Sequence, residues 1–187
     1  MLHLDDIRRQ KLPRKLTGVY EFERTSDHAL LRGITEPVGI AHSRLNGLAA
    51  SELVAHGYEM LTHSTQAGVD AFVKKYRSLF VFLQGHPEYE PDNLYREYRR
   101  DMTRYLTGQQ PTCPALPENY FEPQTAFALN AFAEEARSAG TIELLERLPA
   151  IETVGPRRAG SGAAAARLFR NWVGIAEAKA PRAHASV

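Results

Sequence analysis

The tripeptide His86-Pro87-Glu88 sets an imidazole and a carboxylate, the two groups best suited to general-base work, two positions apart. Pro87 disfavours the helical region at His86 and holds it extended, so the two side chains project to one side and can meet. A carboxylate against an imidazole fixes its tautomer and steadies the imidazolium, the base-and-orienter part of a nucleophilic triad. The same residues also read as a histidine closing a strand and a glutamate capping the next helix, and by themselves they leave both readings open. A triad needs a nucleophile, and none stands in a recognisable setting. The single cysteine, Cys113, lies between Thr112 and Pro114 with no strand-to-helix elbow around it, and is expected to be a thiol without function. No Gly-x-Ser-x-Gly motif occurs. Gly160-Ser161-Gly162 lacks a preceding strand and a phosphate-loop lysine, and reads as a linker.

The basic residues divide in the same way. Lys15 precedes a strand, and Arg44 follows Ser43 at the end of another. Arg96, Arg100 and Arg104 recur every fourth residue beside Glu97 and Asp101. On a helix this is either a solvated face, with ion pairs worth about 0.2–0.5 kcal/mol each, or a surface from which one arginine clamps a carboxylate bidentately. Arg100 adjoins the apolar stripe and is the inward candidate. The 7 histidines are scattered with no i, i+3 or i+4 partner, so no metal site is expected, and His56 and His63 read as surface or structural groups.

The elements that must position these groups follow from periodicity. Residues 17–24 alternate as a half-buried strand does, residues 27–33 form a short turn or a single helical turn, and 37–42 form a second strand leading into His42-Ser43-Arg44. Two further strands are expected at 58–63 and 69–76 around the turn formers of 64–68. Ser78 to Leu83 is apolar at every position but the first and predicts a strand covered on both faces, as in an α/β sheet. After Tyr89 the period becomes helical: Leu94, Tyr98, Met102 and Tyr105 predict a helix over 91–107, started by Pro91 and Asp92 and stopped before Gly108. An irregular connection over 109–123 should lead to helices at 124–147, broken near Gly140, and at 163–179. A loop is expected between Pro149 and Gly162, and a frayed tail from 180 to 187. A buried strand that ends in a polar turn and a helix fits half of an α/β layer fold, whose chemistry gathers at the carboxyl ends of strands. His86 stands at such an end.

Length and composition bound the classes. With 187 residues and 43% apolar content the chain can bury a core as a single domain, taken here as 1–179. Lys and Arg (23) nearly balance Asp and Glu (22), so no global field points to nucleic acid or an anionic membrane. One cysteine excludes a disulfide framework. Acidic Asp5 and Asp6 stand where a secretory signal would be apolar, and no apolar run nears the roughly 20 residues of a membrane span. A cytoplasmic protein is expected. Leu2, Leu4 and Ile7 read as the end of an amphipathic element, which suggests that a preceding segment is missing.

Several segments together resemble one family, the homoserine O-succinyltransferases. The most specific is Phe80-Val81-Phe82-Leu83-Gln84-Gly85-His86-Pro87-Glu88-Tyr89 followed by Arg96-Glu97-Tyr98-Arg99-Arg100-Asp101. Leu12 to Glu21, His28 to Gly33, His42-Ser43-Arg44, Asn119-Tyr120-Phe121 and Leu168-Phe169-Arg170-Asn171-Trp172 fall in the family's order, while 124–160 matches least. The resemblance implies a fold like the class I glutamine amidotransferases, a flavodoxin-like layered sheet with helices, here N-terminally incomplete. It implies an acyl-cysteine mechanism passing an acyl group from succinyl-CoA or acetyl-CoA to the homoserine hydroxyl in methionine biosynthesis, with no cofactor. Carried over by motif, His86 is the base, Glu88 its orienting partner, and Lys15, Ser43 and Arg100 bind substrate. The family's cysteine falls just before Met1, so the chain alone is expected to be inactive, and either a homodimer or association with a missing N-terminal piece is expected. A glutamine amidotransferase relative and a non-catalytic homoserine or acyl-CoA binding module are the competing readings.

Overall fold

The computed structural model describes residues 2–34, 37–149 and 162–178. The expected loop after Pro149 and the tail from 180 lie outside them. The alternation through Val19 to Glu23 does build a strand, but a longer one, β1 (Gln10–Arg24). It pairs antiparallel with β2 (Val38–Gly47), itself longer than the expected 37–42, with Gly18 opposite His42 and Thr17 opposite Ser43. The register shifts between Lys11 and Leu16, around Pro13, which has no N–H to give a ladder. At Gly18 (φ 145°) a Cβ would lie 2.3 Å from the Glu118 carbonyl oxygen, so only glycine admits the strand that donates Val19 N–H to Glu118 at 2.9 Å.

A short helix α1 (Leu2–Asp5) precedes β1, and the six-residue α2 (Ala50–Ala55), which periodicity does not reveal, follows β2. The two strands expected at 58–63 and 69–76 are each split in two. They become β3 (Glu59–Met60) with β4 (Thr62–Ser64), and β5 (Gly68–Val69) with β6 (Ala71–Lys75). This hairpin crosses between two sheets, with strand orders β2-β1-β4-β5 and β3-β6-β7. The crossing point is Leu61 and Asp70, where Leu61 donates to Ala71 O at 2.8 Å and Asp70 N–H to Thr62 O at 3.2 Å.

The apolar run becomes β7 (Leu79–Leu83), antiparallel to β6 at a sheet edge. Coverage on both faces, expected for this strand, is not found: Phe80 and Leu83 are each 40% exposed. Coverage on both faces is found instead in β1, over Thr17 to Tyr20, beyond which buried Phe22 alternates with exposed Glu21 and Glu23 as a half-buried strand does. Val19 meets the helices, while Tyr20 and Phe22 pack with Ala67 on the other side. Alternation alone suggested one wet face for β1. That face does stay wet at Glu21 and Glu23, while packing closes it only over Thr17 and Val19.

The helix α3 (Asn93–Leu106) buries Leu94, Tyr95, Tyr98, Met102 and Leu106, which face α4 (Pro123–Ala139) through Leu129, Phe132 and Ala136. Pro123 opens α4, and Gly140 in the left-handed region (φ 59°) closes it where the break was expected. Residues Ile142–Arg147 continue as a 3-10 turn. The helix α5 (Gly162–Glu177) sets Leu168 and Ile175 against Leu30 and Leu31, and Asn171 donates to Leu30 O at 2.8 Å. The molecule is mixed α/β with antiparallel pairing in both sheets. No helix among the described residues is long and apolar enough to cross a membrane.

Candidate active site

The chain leaves β7 at Leu83 and enters α3 at Asn93, and the connecting turn carries His86 and Glu88. Their side chains do meet: His86 Nδ1 lies 2.8 Å from Glu88 Oε1. The route differs from the extended geometry expected. Tyr89 N–H donates to His86 O at 3.2 Å, so the pair closes a tight turn with Pro87 at its second position, a place proline's fixed φ suits. An ionised carboxylate only accepts, so a ring bonded to it carries its proton at Nδ1 and keeps Nε2 as the basic atom. The imidazole, with its side chain 34% exposed, stacks on Tyr89 at 4.2 Å between centroids.

Tyr89 links this dyad to the substrate-binding candidates. Its hydroxyl donates to Glu97 Oε1 at 2.6 Å. Ser43 donates to Glu97 Oε2. Lys15 stands between two carboxylates of α3, 2.8 Å from Asp101 and 3.5 Å from Glu97. Arg100 reaches Asp101 through Nε at 3.0 Å and stays half-exposed. Lys15, Ser43, Glu97, Arg100 and Asp101 all line one open groove of about 1240 Å³, with Gln84 and Leu83 leading from it toward His86. The five residues expected from the sequence are thus joined through one contact network. Arg100 faces the groove rather than only solvent, while Arg96 fits the solvated reading, paired with Asp92 at 2.5 Å and its side chain 71% exposed.

Burial works to raise both acidic groups of α3. Bonds from Ser43 and Tyr89, with the Lys15 and Arg100 charges, nevertheless carry Glu97 below the ordinary carboxylate range. For Asp101 the bonds from Lys15 and Arg100 do the same. The groove therefore holds fixed anions between fixed cations. Burial pushes the Tyr89 phenol up, and the Glu97 bond adds to this, so it remains a donor.

Arg44 also borders the groove, but its guanidinium is engaged by other partners. It donates to Asn46 O at 2.6 Å, Ala67 O at 2.5 Å and His42 Nδ1 at 3.2 Å, holding backbone together. Cys113 stands in the groove wall, but burial raises its thiol, the reverse of what activates a nucleophile. A second cavity, of about 40 Å³, lies among Phe22, Ile40, Pro87 and Leu168 and is too small for a substrate.

Glu97, Asp101 and Tyr89 escaped the sequence reading as site members, although Glu97 and Asp101 stand four apart and so share the helix face that meets Lys15. Asp70 escaped it too, although an aspartate inside a strand pattern is a signal in itself.

A family model described as homoserine O-succinyltransferase matches residues 1–181. A protein of Rhodopseudomonas palustris named homoserine O-succinyltransferase is 46% identical over 173 residues, covering 92% of this chain and 52% of the relative. Equally named proteins of Methylorubrum extorquens and Bradyrhizobium japonicum are 46% and 44% identical, covering 94% and 93% of this chain. The chain spans about half the length of these curated relatives, 52–53% of each.

Proposed function

Since the chain belongs to the homoserine O-succinyltransferase family, we propose that it carries the general base and the amino-acid pocket of a homoserine O-acyltransferase. The observation that carries this reading is the single network running from the His86–Glu88 pair through Tyr89 and Glu97 to Ser43, Lys15, Asp101 and Arg100. An α-amino acid presents a carboxylate and an ammonium a few ångströms apart. The half-exposed guanidinium of Arg100 suits the first, and the Glu97 carboxylate suits the second.

In this reading the acyl group arrives as a cysteine thioester formed from succinyl-CoA. His86 Nε2 takes the proton of the homoserine hydroxyl as its oxygen attacks the thioester carbonyl, and returns that proton to the departing thiolate. Glu88 holds the ring in the tautomer that leaves Nε2 free. The product, an O-acylhomoserine, enters methionine biosynthesis. Cys113 is not the acyl carrier, because its thiol is raised and no base contacts it among the described residues. The acyl-bearing cysteine is supplied by protein beyond the half of the relatives that this chain spans, so the chain alone transfers no acyl group. The complete layer is that of a class I glutamine amidotransferase, with β7 continued by further strands, in a soluble cytoplasmic enzyme.

Titrating the pure chain with homoserine, followed by amide chemical shifts, tests the pocket. Shifts at Ser43, Glu97 and Arg100 are expected, with affinity falling about tenfold or more in Arg100→Ala, as loss of a charge-assisted bond implies. Binding that ignores Arg100→Ala would overturn the assignment. O-succinylhomoserine formed above a His86→Ala control by the chain alone would overturn its inactivity.

A further inference from the structure

We infer that Asp70 is a positioning residue, which holds the turn presenting His86 from beneath. The role rests on the reading of His86 as the base. Three consecutive amides approach that base, and each is tied down. Gln84 N–H donates to the Asp70 carbonyl at 3.1 Å, Gly85 N–H to Asp70 Oδ1 at 2.8 Å, and His86 N–H to Ala41 O at 2.8 Å. Two of the three anchors belong to one residue, at the point where the hairpin crosses between sheets.

The anchor is itself fixed. Asp70 is 4% exposed. Its Oδ1 also faces His42 Nε2 at 3.5 Å, and His42 is wholly buried with its Nδ1 occupied by the Arg44 N–H at 3.2 Å. Since Nδ1 accepts, Nε2 carries the ring proton, and it lies beside the carboxyl without a hydrogen bond to it. Space under the turn is closed as well. A Cβ on Gly85 would lie 2.5 Å from Ile40 Cγ2, 2.6 Å from His42 Nε2 and 2.8 Å from Asp70 Oδ1. The turn thus rests on a polar seat that only glycine can approach. A buried carboxyl is costly wherever it lacks such a task, and here its oxygen is spent on the residue before the base.

An acceptor, not a charge, is what the seat requires. Asparagine keeps the acceptor for Gly85 and turns its NH₂ to Thr62 Oγ1, which lies 3.5 Å from Oδ2 in the native protein. Asp70→Ala removes the acceptor altogether. The test is amide hydrogen exchange at Gly85 and the tautomer of His86, read from two-bond ring ¹H–¹⁵N correlations, in the full chain. Asp70→Ala should speed Gly85 exchange about tenfold or more while the α3 amides change less than about twofold. The Nδ1–H tautomer set by Glu88 should give way to the mixture of a free imidazole. Asp70→Asn should restore both readouts.

Unchanged Gly85 exchange and His86 tautomer in Asp70→Ala, or an Asp70→Asn variant as perturbed as Asp70→Ala, would overturn the role. Should Asp70→Ala not fold, Gly85→Ala lifts the turn from the other side and must disturb the His86 tautomer in the same way. None of these readouts uses homoserine or turnover. Failure of the proposed pocket would appear in the homoserine titration alone, and failure of the positioning role in exchange and tautomer alone.

Discussion

Replacing His42 by glutamine tests whether the ring under the His86 turn is a neutral imidazole kept from protonating. Burial, followed by the Arg44 and His86 charges, drives its pKa down from 6.5 to about 3. The unfolded chain protonates this histidine near 6.5 and the folded chain only near 3, so between those values the unfolded state holds the extra proton. Stability therefore rises with pH across that window and is lost as pH falls through it, by up to about 1.4 kcal/mol per pH unit. Integrated from about pH 7 to pH 5, this ring alone removes roughly 2 kcal/mol. Asp70 acts with the opposite sign. Burial raises its carboxyl, so the folded state holds the extra proton between about 3.9 and the raised value, and stability falls as pH climbs there. That contribution is present in both proteins, since burial, the largest cause of the Asp70 shift, remains when glutamine replaces the ring. His42→Gln keeps an acceptor for Arg44 and a donor toward Asp70 but cannot protonate. It gives up the stacking on Phe22, seen at 5.1 Å, at a cost of about 0.5–1.5 kcal/mol. Urea unfolding of both proteins at about pH 7 and pH 5 measures the difference, and the native protein should lose roughly 2 kcal/mol more than the variant. Equal losses would refute the buried neutral imidazole.

Lys15→Met removes the cation between Glu97 and Asp101, whose carboxyls lie below their ordinary range in the folded protein. Depressed carboxyls stabilise above their unfolded values near 4 and lose that contribution as pH falls, so the acid-unfolding midpoint followed by circular dichroism should move up in pH. Partial exposure limits the loss to about 1 kcal/mol, and an unmoved midpoint would contradict the ion-pair geometry. In the core, Leu129→Ala should cost about 2–5 kcal/mol in denaturant unfolding, since Leu129 is 0% exposed among Met102, Phe132 and Tyr98. Two residues earlier on the same helix, Phe127→Ala should change stability by less than about 0.5 kcal/mol, because Phe127 is 78% exposed. Comparable effects for the two would mean that α4 presents a different face to the core.

The helices were legible because their signals are local. Leu94, Tyr98 and Met102 mark the buried face of α3, and Pro123 and Gly140 bound α4 as proline and glycine bound helices elsewhere. The strands were legible in place but not in partnership. Nothing local in residues 58–76 says that Leu61 and Asp70 pass from one sheet to another, because the change lies in which strands lie alongside. The open face of β7 and the double coverage of β1 over Thr17 to Tyr20 went unread for the same reason. Apolar content says what a strand can bury, and its neighbours decide what it does bury. The His86–Glu88 pair was readable from spacing, whereas Glu97, Asp101 and Asp70 depend on α3 crossing β2 and on the hairpin crossover, neither of which leaves a periodic trace.

The register of β1 against β2 is what makes one ribbon serve two purposes. Side chains alternate along a strand, so His42 and Arg44 share one face of β2 and Ser43 takes the other. On the first face His42 stacks on Phe22 and faces Asp70 beneath the His86 turn. On the second, Ser43 donates to Glu97 in the groove, beside Lys15. Ala41, just before His42 in the same strand, accepts the His86 amide at 2.8 Å. A slip of one residue would put His42 in the groove and Ser43 under the turn, removing the seat and the pocket together. Two features oppose that slip. The irregularity between Lys11 and Leu16 fixes the phase of the ribbon from one end. Gly18, opposite His42, is the one position where the Glu118 backbone can approach the strand, so a shifted ribbon would meet Glu118 with a side chain instead. The separation between the His86 turn and the groove lined by Lys15 and Ser43 is therefore set less by those residues than by a glycine and a strand irregularity on their far side.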